Sequence, residues 1–284
     1  MYTPLKAGVV LSWLYAVKQT GYMVNSIIFS FSSENKTSLS PTRSEPSRRA
    51  VAVVFPAYNE EGLMETHLAE MWRYCLSLST GHCWSLLIVN DGSTDRTGEV
   101  ADRFAAGREN VRVVHHKSNR GLSEALRSAF AALEDDWVIT MDADLSYDPT
   151  HIERMLAVAE QTGAAIVLAS PYMTGGEVSN VPWIRHALSR LANVYLAGKL
   201  DGRLHTFTSV MRVYRRDALK WLDGRTTSGD VNFQILAEAL RRGAKIVEVP
   251  AHLHWRSRSR RTSPARIGHR IGEVLRFARQ LSHD

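Results

Sequence analysis

The sequence predicts an α/β fold, a mostly parallel sheet with helices on both faces. Three observations predict it. Short apolar, β-branched runs recur from Ala50 onward, and stretches of helical spacing separate them. Polar residues and carboxylates follow the carboxyl ends of the predicted strands. Strands alternating with helices of this length imply βαβ units with right-handed crossovers.

The elements follow in chain order. Ala50 to Phe55 is a buried parallel strand ended by turn residues. Asn59 to Ser79 carries Leu63, His67, Met71, Tyr74 and Leu78 at helical spacing. Trp84 to Val89 is a second strand, and Ser93 or Thr94 can cap a helix running to about Ala106. Val111 to His115 is a third strand and Leu122 to Leu133 a helix. Trp137 to Met141 leads into Asp142-Ala143-Asp144. Pro149 opens a helix at its first turn, and Ala164 to Ala169 is a fifth strand.

The chain has 284 residues, of which 44% are hydrophobic and 23% charged, which excludes collagenous, mucin-like and wholly disordered classes. Its net charge of +6 points to an anionic partner. Two cysteines, Cys75 and Cys83, exclude a disulfide framework or a multi-cysteine zinc module and fit buried thiols in a reducing compartment.

Residues 1–49 read as a separate extension. Ala7 to Val17 and Tyr22 to Phe31 are apolar, but neither reaches the ~20 residues that span a bilayer. A joint span would place Lys18 at its centre, at a cost of about 3 kcal/mol. No small-residue cleavage site follows closely. The expected reading is a poorly ordered extension, or a start upstream of the natural one, rather than an interfacial helix. Ser32 to Arg49 is a Ser/Pro/Thr-rich linker.

In open α/β sheets, ligands bind beyond the carboxyl ends of the strands. Those ends carry Pro56 to Glu60, Asn90 to Ser93, His115 to Asn119, and Asp142 to Asp144. No GxGxxG follows the first strand and no GxxxxGK[ST] occurs, which argues against dinucleotide and P-loop folds. Asp142 and Asp144 could both turn toward a divalent cation, or could solvate a loop and cap a helix. Asp91 and Asp95 also suit turn-and-cap chemistry. His115 and His116 sit at a strand end and are expected to be structural.

Taken together, Val54 to Glu61 (VFPAYNEE), Val89 to Thr97 (VNDGSTDRT), Asn119 to Ala125 (NRGLSEA) and Met141 to Leu145 (MDADL) resemble family 2 glycosyltransferases of GT-A fold. The branch most similar is that of the dolichyl- or polyprenyl-phosphate sugar transferases. Thr206 to Arg216 and Ala244 to Pro250 extend the likeness. The resemblance implies that Pro56, Tyr58 and Glu60 line a pocket for the donor's base and ribose, and that Asp91 hydrogen-bonds the base. It implies that Asp142 and Asp144 form the DxD pair holding Mg²⁺ or Mn²⁺ against the donor diphosphate. Asp144 is then catalytic through the metal. Two departures stand out: Ser146 where the branch often has Gln, and Pro171 where it commonly has Arg.

On the acceptor side, the resemblance implies that Ser209 and Arg212 handle a phosphate. An inward Arg212 could equally be structural, paired with a carboxylate such as Asp230. Asp230 precedes the helical stretch Val231 to Arg241. It is a general base if the acceptor is a hydroxyl, and a cap or orienter if it is a phosphate. Eight arginines fall between Arg256 and Arg279. Arg256 and Arg258 belong to a loop expected to close over phosphates. Gly268 to Leu281 is either a basic helix on anionic lipid or a packed helix with a solvated face. His252 and His254 would share one direction in an extended strand, and one of them could join a metal shell.

The implied function is an inverting, metal-dependent transfer of a hexosyl group from a GDP- or UDP-linked donor to a polyprenyl phosphate. The implied location is cytoplasmic and peripheral, at the cytoplasmic face of the membrane, with no nucleic acid involved. Alternatives are transfer to a saccharide or small-molecule hydroxyl with Asp230 as base, and a non-catalytic nucleotide-sugar-binding or scaffold subunit. The expected organisation is one GT-A domain over 50–284, with a basic end from about 252.

Overall fold

A computed structural model of the chain describes residues 48–78, 81–199, 202–222 and 230–256. The predicted leader, nearly all of the linker, the Gly268 to Leu281 helix and Arg258 lie outside the described residues.

Seven strands form the central sheet: β1 (Ala50–Ala57), β2 (Cys83–Asn90), β3 (Val111–His115), β4 (Trp137–Thr140), β5 (Ile166–Ser170), β7 (Arg212–Arg215) and β8 (Ile246–Pro250). Their order is β3-β2-β1-β4-β7-β5-β8. All neighbours pair in parallel except β7, which runs antiparallel between β4 and β5. That insertion sets Arg212 against Thr140 on one side and Leu168 on the other. Two short strands, β6 (Glu177–Ser179) and β9 (His252–His254), pair in parallel beside the main sheet.

The alternation of β1 divides the core in two. Val51, Val53 and Phe55 face helices α1 (Met64–Ser77), α2 (Thr97–Ala105) and α4 (His151–Thr162). Ala52 and Val54 face α3 (Leu122–Ala132) and α7 (Val231–Arg241), with Leu196 of α5 (Trp183–Lys199) and Ala218 of the short α6 (Arg216–Leu219). Both faces of the sheet are therefore covered, as the continuous apolar runs of its strands require.

Several boundaries differ from expectation. Helix α1 begins at Met64 instead of Asn59. Asn59 takes a positive φ of 54°, and its amide bonds the Ser93 hydroxyl, so the chain turns before the helix can start. Helix α2 begins at Thr97, and neither Ser93 nor Thr94 caps it. The Asp95 carboxylate accepts both the Thr97 amide and its hydroxyl. Pro149 stands just ahead of α4 instead of within its first turn, and Asp148 accepts the Thr150 amide there.

Candidate active site

The carboxyl ends of β1, β2 and β4 open into one cleft of about 560 Å³. Pro56, Tyr58, Glu60, Asp91, Asp142 and Asp144 all line it, so the predicted donor-side residues converge. Ser209, Arg212 and Asp230 line it as well. Arg256 does not. Its guanidinium lies 3.7 Å from both Glu70 and Asp148. Burial pushes the Asp148 carboxyl upward, but the Thr150 hydrogen bonds and Arg256 outweigh it and hold the group below its ordinary value.

The acidic pair is built by a strained turn. Leu145 is fully buried with φ +48°, a left-handed conformation that costs a leucine about 1 kcal/mol or more. The Leu145 amide closes the turn onto the Asp142 carbonyl at 3.1 Å. The Leu145 side chain sits in the core beneath the site, and Asp142 and Asp144 both line the cleft. The Asp144 Oδ1 accepts the Ser146 amide at 2.9 Å and its hydroxyl at 2.6 Å. From α1, the buried His67 donates through Nδ1 to the Ala143 carbonyl at 2.9 Å. The turn is thus held from both sides before any ligand arrives.

No group of three or more His, Cys, Asp or Glu poised for a metal occurs among the described residues. A half-buried pair of hard carboxylates that lines the cleft still fits Mg²⁺ or Mn²⁺, provided that ligand phosphates and water complete the shell. Among the described residues, Ser146 engages one Asp144 oxygen and nothing engages the other. His252 and His254 contribute nothing to this set. Both rings bond the Ser179 hydroxyl, and the cleft is lined by Leu253 between them and by Trp255 just after the strand.

Asp91 is buried, and its carboxylate is fully engaged. Oδ1 receives His116 Nδ1 at 2.6 Å and the Arg120 amide at 2.9 Å; Oδ2 receives the Gly121 amide at 2.7 Å and Asn119 Nδ2 at 3.1 Å. Four sites are about what a carboxylate offers. Asp91 therefore shapes the loop 116–121 along the cleft that it lines. Gly92 makes the approach possible. Its φ is +65°, and a Cβ there would lie 2.1 Å from the Ser118 carbonyl carbon. His116 also meets the Ser128 hydroxyl through Nε2. His115 bridges Asn90 and Asp102.

Arg212 is 1% exposed, and it donates to three backbone carbonyls. Nε donates to Ser209 at 2.8 Å, Nη1 to Asn232 at 2.9 Å, and Nη2 to Phe207. The alternative of pairing with Asp230 is not realised. Asp230 instead caps α7 by accepting the Asn232 amide at 2.8 Å. Tyr147 links the two halves of the cleft. Burial, with Asp142 adding to it, pushes its phenol above the ordinary value, while Ser209 and Arg212 pull the other way.

Some contributors carry no local sequence signal. Asn193 of α5 is 2% exposed; its Oδ1 accepts the Phe207 amide at 2.6 Å, and its Nδ2 donates to Thr208 at 3.0 Å. Glu248 accepts the amides of His205 and Thr206. Arg185 of α5 lies 4.0 Å over the Trp255 ring, and both residues line the cleft.

A sequence model described as glycosyl transferase family 2 matches residues 52–222. The chain belongs to that family. It is 33% identical over 222 residues to a polyprenol monophosphomannose synthase from Mycolicibacterium smegmatis, covering 74% of this chain and 79% of the relative. It is 32% identical over 206 residues to an undecaprenyl-phosphate mannosyltransferase from Micrococcus luteus, covering 70% and 82%. A dolichol-phosphate mannosyltransferase from Pyrococcus furiosus is 28% identical over 214 residues, and there the match spans 57% of the relative. These relatives place the family 2 chain in the polyprenyl-phosphate sugar transferase branch. A crystal structure of glucosyl-3-phosphoglycerate synthase from Mycobacterium tuberculosis, with Mn²⁺, UDP-glucose and phosphoglyceric acid, superposes with a TM-score of 0.63 at 22% identity. It covers 82% of this chain and 79% of that one, and the shared fold is GT-A. The protein is a family 2 glycosyltransferase.

Proposed function

We propose that this glycosyltransferase moves a hexosyl group, with inversion, from a nucleoside diphosphate sugar to the phosphate of a polyprenyl phosphate at a membrane surface. The observation that carries the reading is the pairing of charges in one cleft. Asp142 and Asp144 suit a metal-bound diphosphate, and among the described residues no salt bridge holds the buried Arg212, whose hydrogen bonds go to neutral carbonyls, so its charge favours an anion. The names of the three relatives support a polyprenyl phosphate acceptor and make a mannosyl donor the first to test.

In this reading Asp142 and Asp144 hold Mg²⁺ or Mn²⁺, which would neutralise charge on the departing diphosphate. Ser146 and His67 keep the turn in shape. Pro56, Tyr58 and Glu60 face the donor nucleoside, GDP- or UDP-linked. Ser209 meets the acceptor phosphate, and Arg212 acts on it through the loop it organises and through its charge. A phosphate oxygen needs no base to attack the anomeric carbon. Among the described residues no helix is long and apolar enough to cross a membrane.

A second reading, with a hydroxyl acceptor, is favoured by one detail: a single Asp230 oxygen serves the cap while the residue lines the cleft. A panel of GDP- and UDP-sugars against polyprenyl phosphate, with Mg²⁺ or Mn²⁺, tests both. Lipid-linked product from wild type and from Asp230→Asn, which preserves the cap, is expected. Label confined to water-soluble glycans, lost by about a hundredfold or more in Asp230→Asn, would replace the proposal with the second reading.

A further inference from the structure

Helix α5 has an inverted pattern. Its large apolar side chains Trp183, Ile184, Leu191, Val194 and Tyr195 are 39–77% exposed, while Asn193 and Leu196 are the residues it buries. At 100° per residue the five fall within an arc of about 120°, with Ala187 and Gly198 between them. Arg190 and Lys199 flank the two edges of the arc, and no acidic residue occurs from Trp183 to Lys199. The adjoining side of the same helix, through Arg185, Leu188, Ser189 and Ala192, lines the cleft.

We infer that the exposed arc of α5 is the surface that docks on an anionic lipid bilayer. The inference rests on the lipid-acceptor reading and adds the element that does the docking. An amphipathic helix with cations at its polar border and aromatic residues on its apolar face lies in the headgroup boundary. Charge decides between a bilayer and a second copy. Two such arcs face to face would bring the Arg190 and Lys199 borders together without a carboxylate on either helix, whereas anionic headgroups neutralise them. Continuity with the site supplies the second argument. Leu188 carries the apolar arc around to the cleft, so a prenyl chain can stay in lipid while its phosphate enters between α5 and β7. One helix diameter, about 10 Å, separates the two environments.

The test uses the full chain and the variant Leu191→Glu/Val194→Glu, both positions lying on the exposed face and outside the cleft. Flotation with phosphatidylcholine vesicles containing about one-third phosphatidylglycerol is expected to recover the wild type, and to recover the variant at least about tenfold less well. Transfer to a long, bilayer-embedded polyprenyl phosphate should fall in parallel, while transfer to a short, water-soluble prenyl phosphate and the melting temperature stay unchanged. Equal flotation of the two proteins overturns the inference. So does a wild-type dimer in light scattering that the variant dissociates while neither protein floats. Absence of transfer to both acceptors would sink the lipid-phosphate reading instead, and flotation would still decide the docking surface.

Discussion

The Ser146 hydroxyl donates to Asp144 Oδ1 at 2.6 Å, one residue beyond the left-handed Leu145. The hydroxyl therefore orients a carboxylate of the acidic pair. A group that orients a metal-binding carboxylate typically changes metal affinity by about 10- to 100-fold. Ser146→Ala is expected to raise the metal concentration for half-maximal activity by about tenfold while changing kcat less. Asp144→Asn should abolish transfer with little change in melting temperature. Metal titration of turnover separates the two, and near-normal activity in Asp144→Asn would refute the metal assignment.

Asp91 organises the loop 116–121 with two backbone amides and two side chains. Asn in its place offers one acceptor oxygen, and turns an NH₂ toward donors. The buried substitution is expected to cost about 2–4 kcal/mol, read as a lower urea midpoint. If Asp91→Asn leaves stability intact and weakens only donor binding, the carboxylate serves the donor and not the loop.

Arg212 satisfies three carbonyls from Phe207, Ser209 and Asn232, a fork geometry that lysine cannot reproduce. Arg212→Lys keeps the charge and should still destabilise by about 3 kcal/mol or more, because buried donors and acceptors lose their partners. A variant of full stability with a raised KM for acceptor alone would point to direct phosphate contact.

The Cys75 thiol is pushed up to about 12 by burial, whereas Cys83 is exposed. A raised folded-state value keeps the thiol protonated. Its contribution to stability is therefore complete below the ordinary 9.0 and is lost as the pH climbs toward 12. Iodoacetamide at pH 8 should label one cysteine in the native protein, identified by peptide mapping as Cys83, and two after unfolding. Two labels on the native chain would contradict the burial of Cys75.

The convergence of Pro56, Asp91, Asp142 and Asp144 was legible because each sits where a local strand signal stops. The carboxyl ends of parallel strands share one edge of a sheet. The cap of α2 was not, since Ser93, Thr94 and Asp95 are all capable cap residues. Contacts to the β1 loop, Asn59 to Ser93 and Glu61 to Asp95, decide among them. Helix α5 also escaped the reading, because its apolar residues face outward and no turn signal marks it as part of the site.

What the sequence by itself determined is the alternation of strands and helices from Ala50 to Ala169, the GT-A family motifs and the acidic pair. These are properties of neighbouring residues: apolar period, turn chemistry and spacing. What only the tertiary structure decided is the work each polar group does. Asp91 holds a loop because residues 116–121 return to it, and Arg212 has carbonyl partners because β7 enters antiparallel between β4 and β5. Arg256 is paired with Glu70 and Asp148 instead of lining the cleft. A side chain's hydrogen bonds depend on groups tens of residues away, and no local pattern encodes which of them will come within 3 Å.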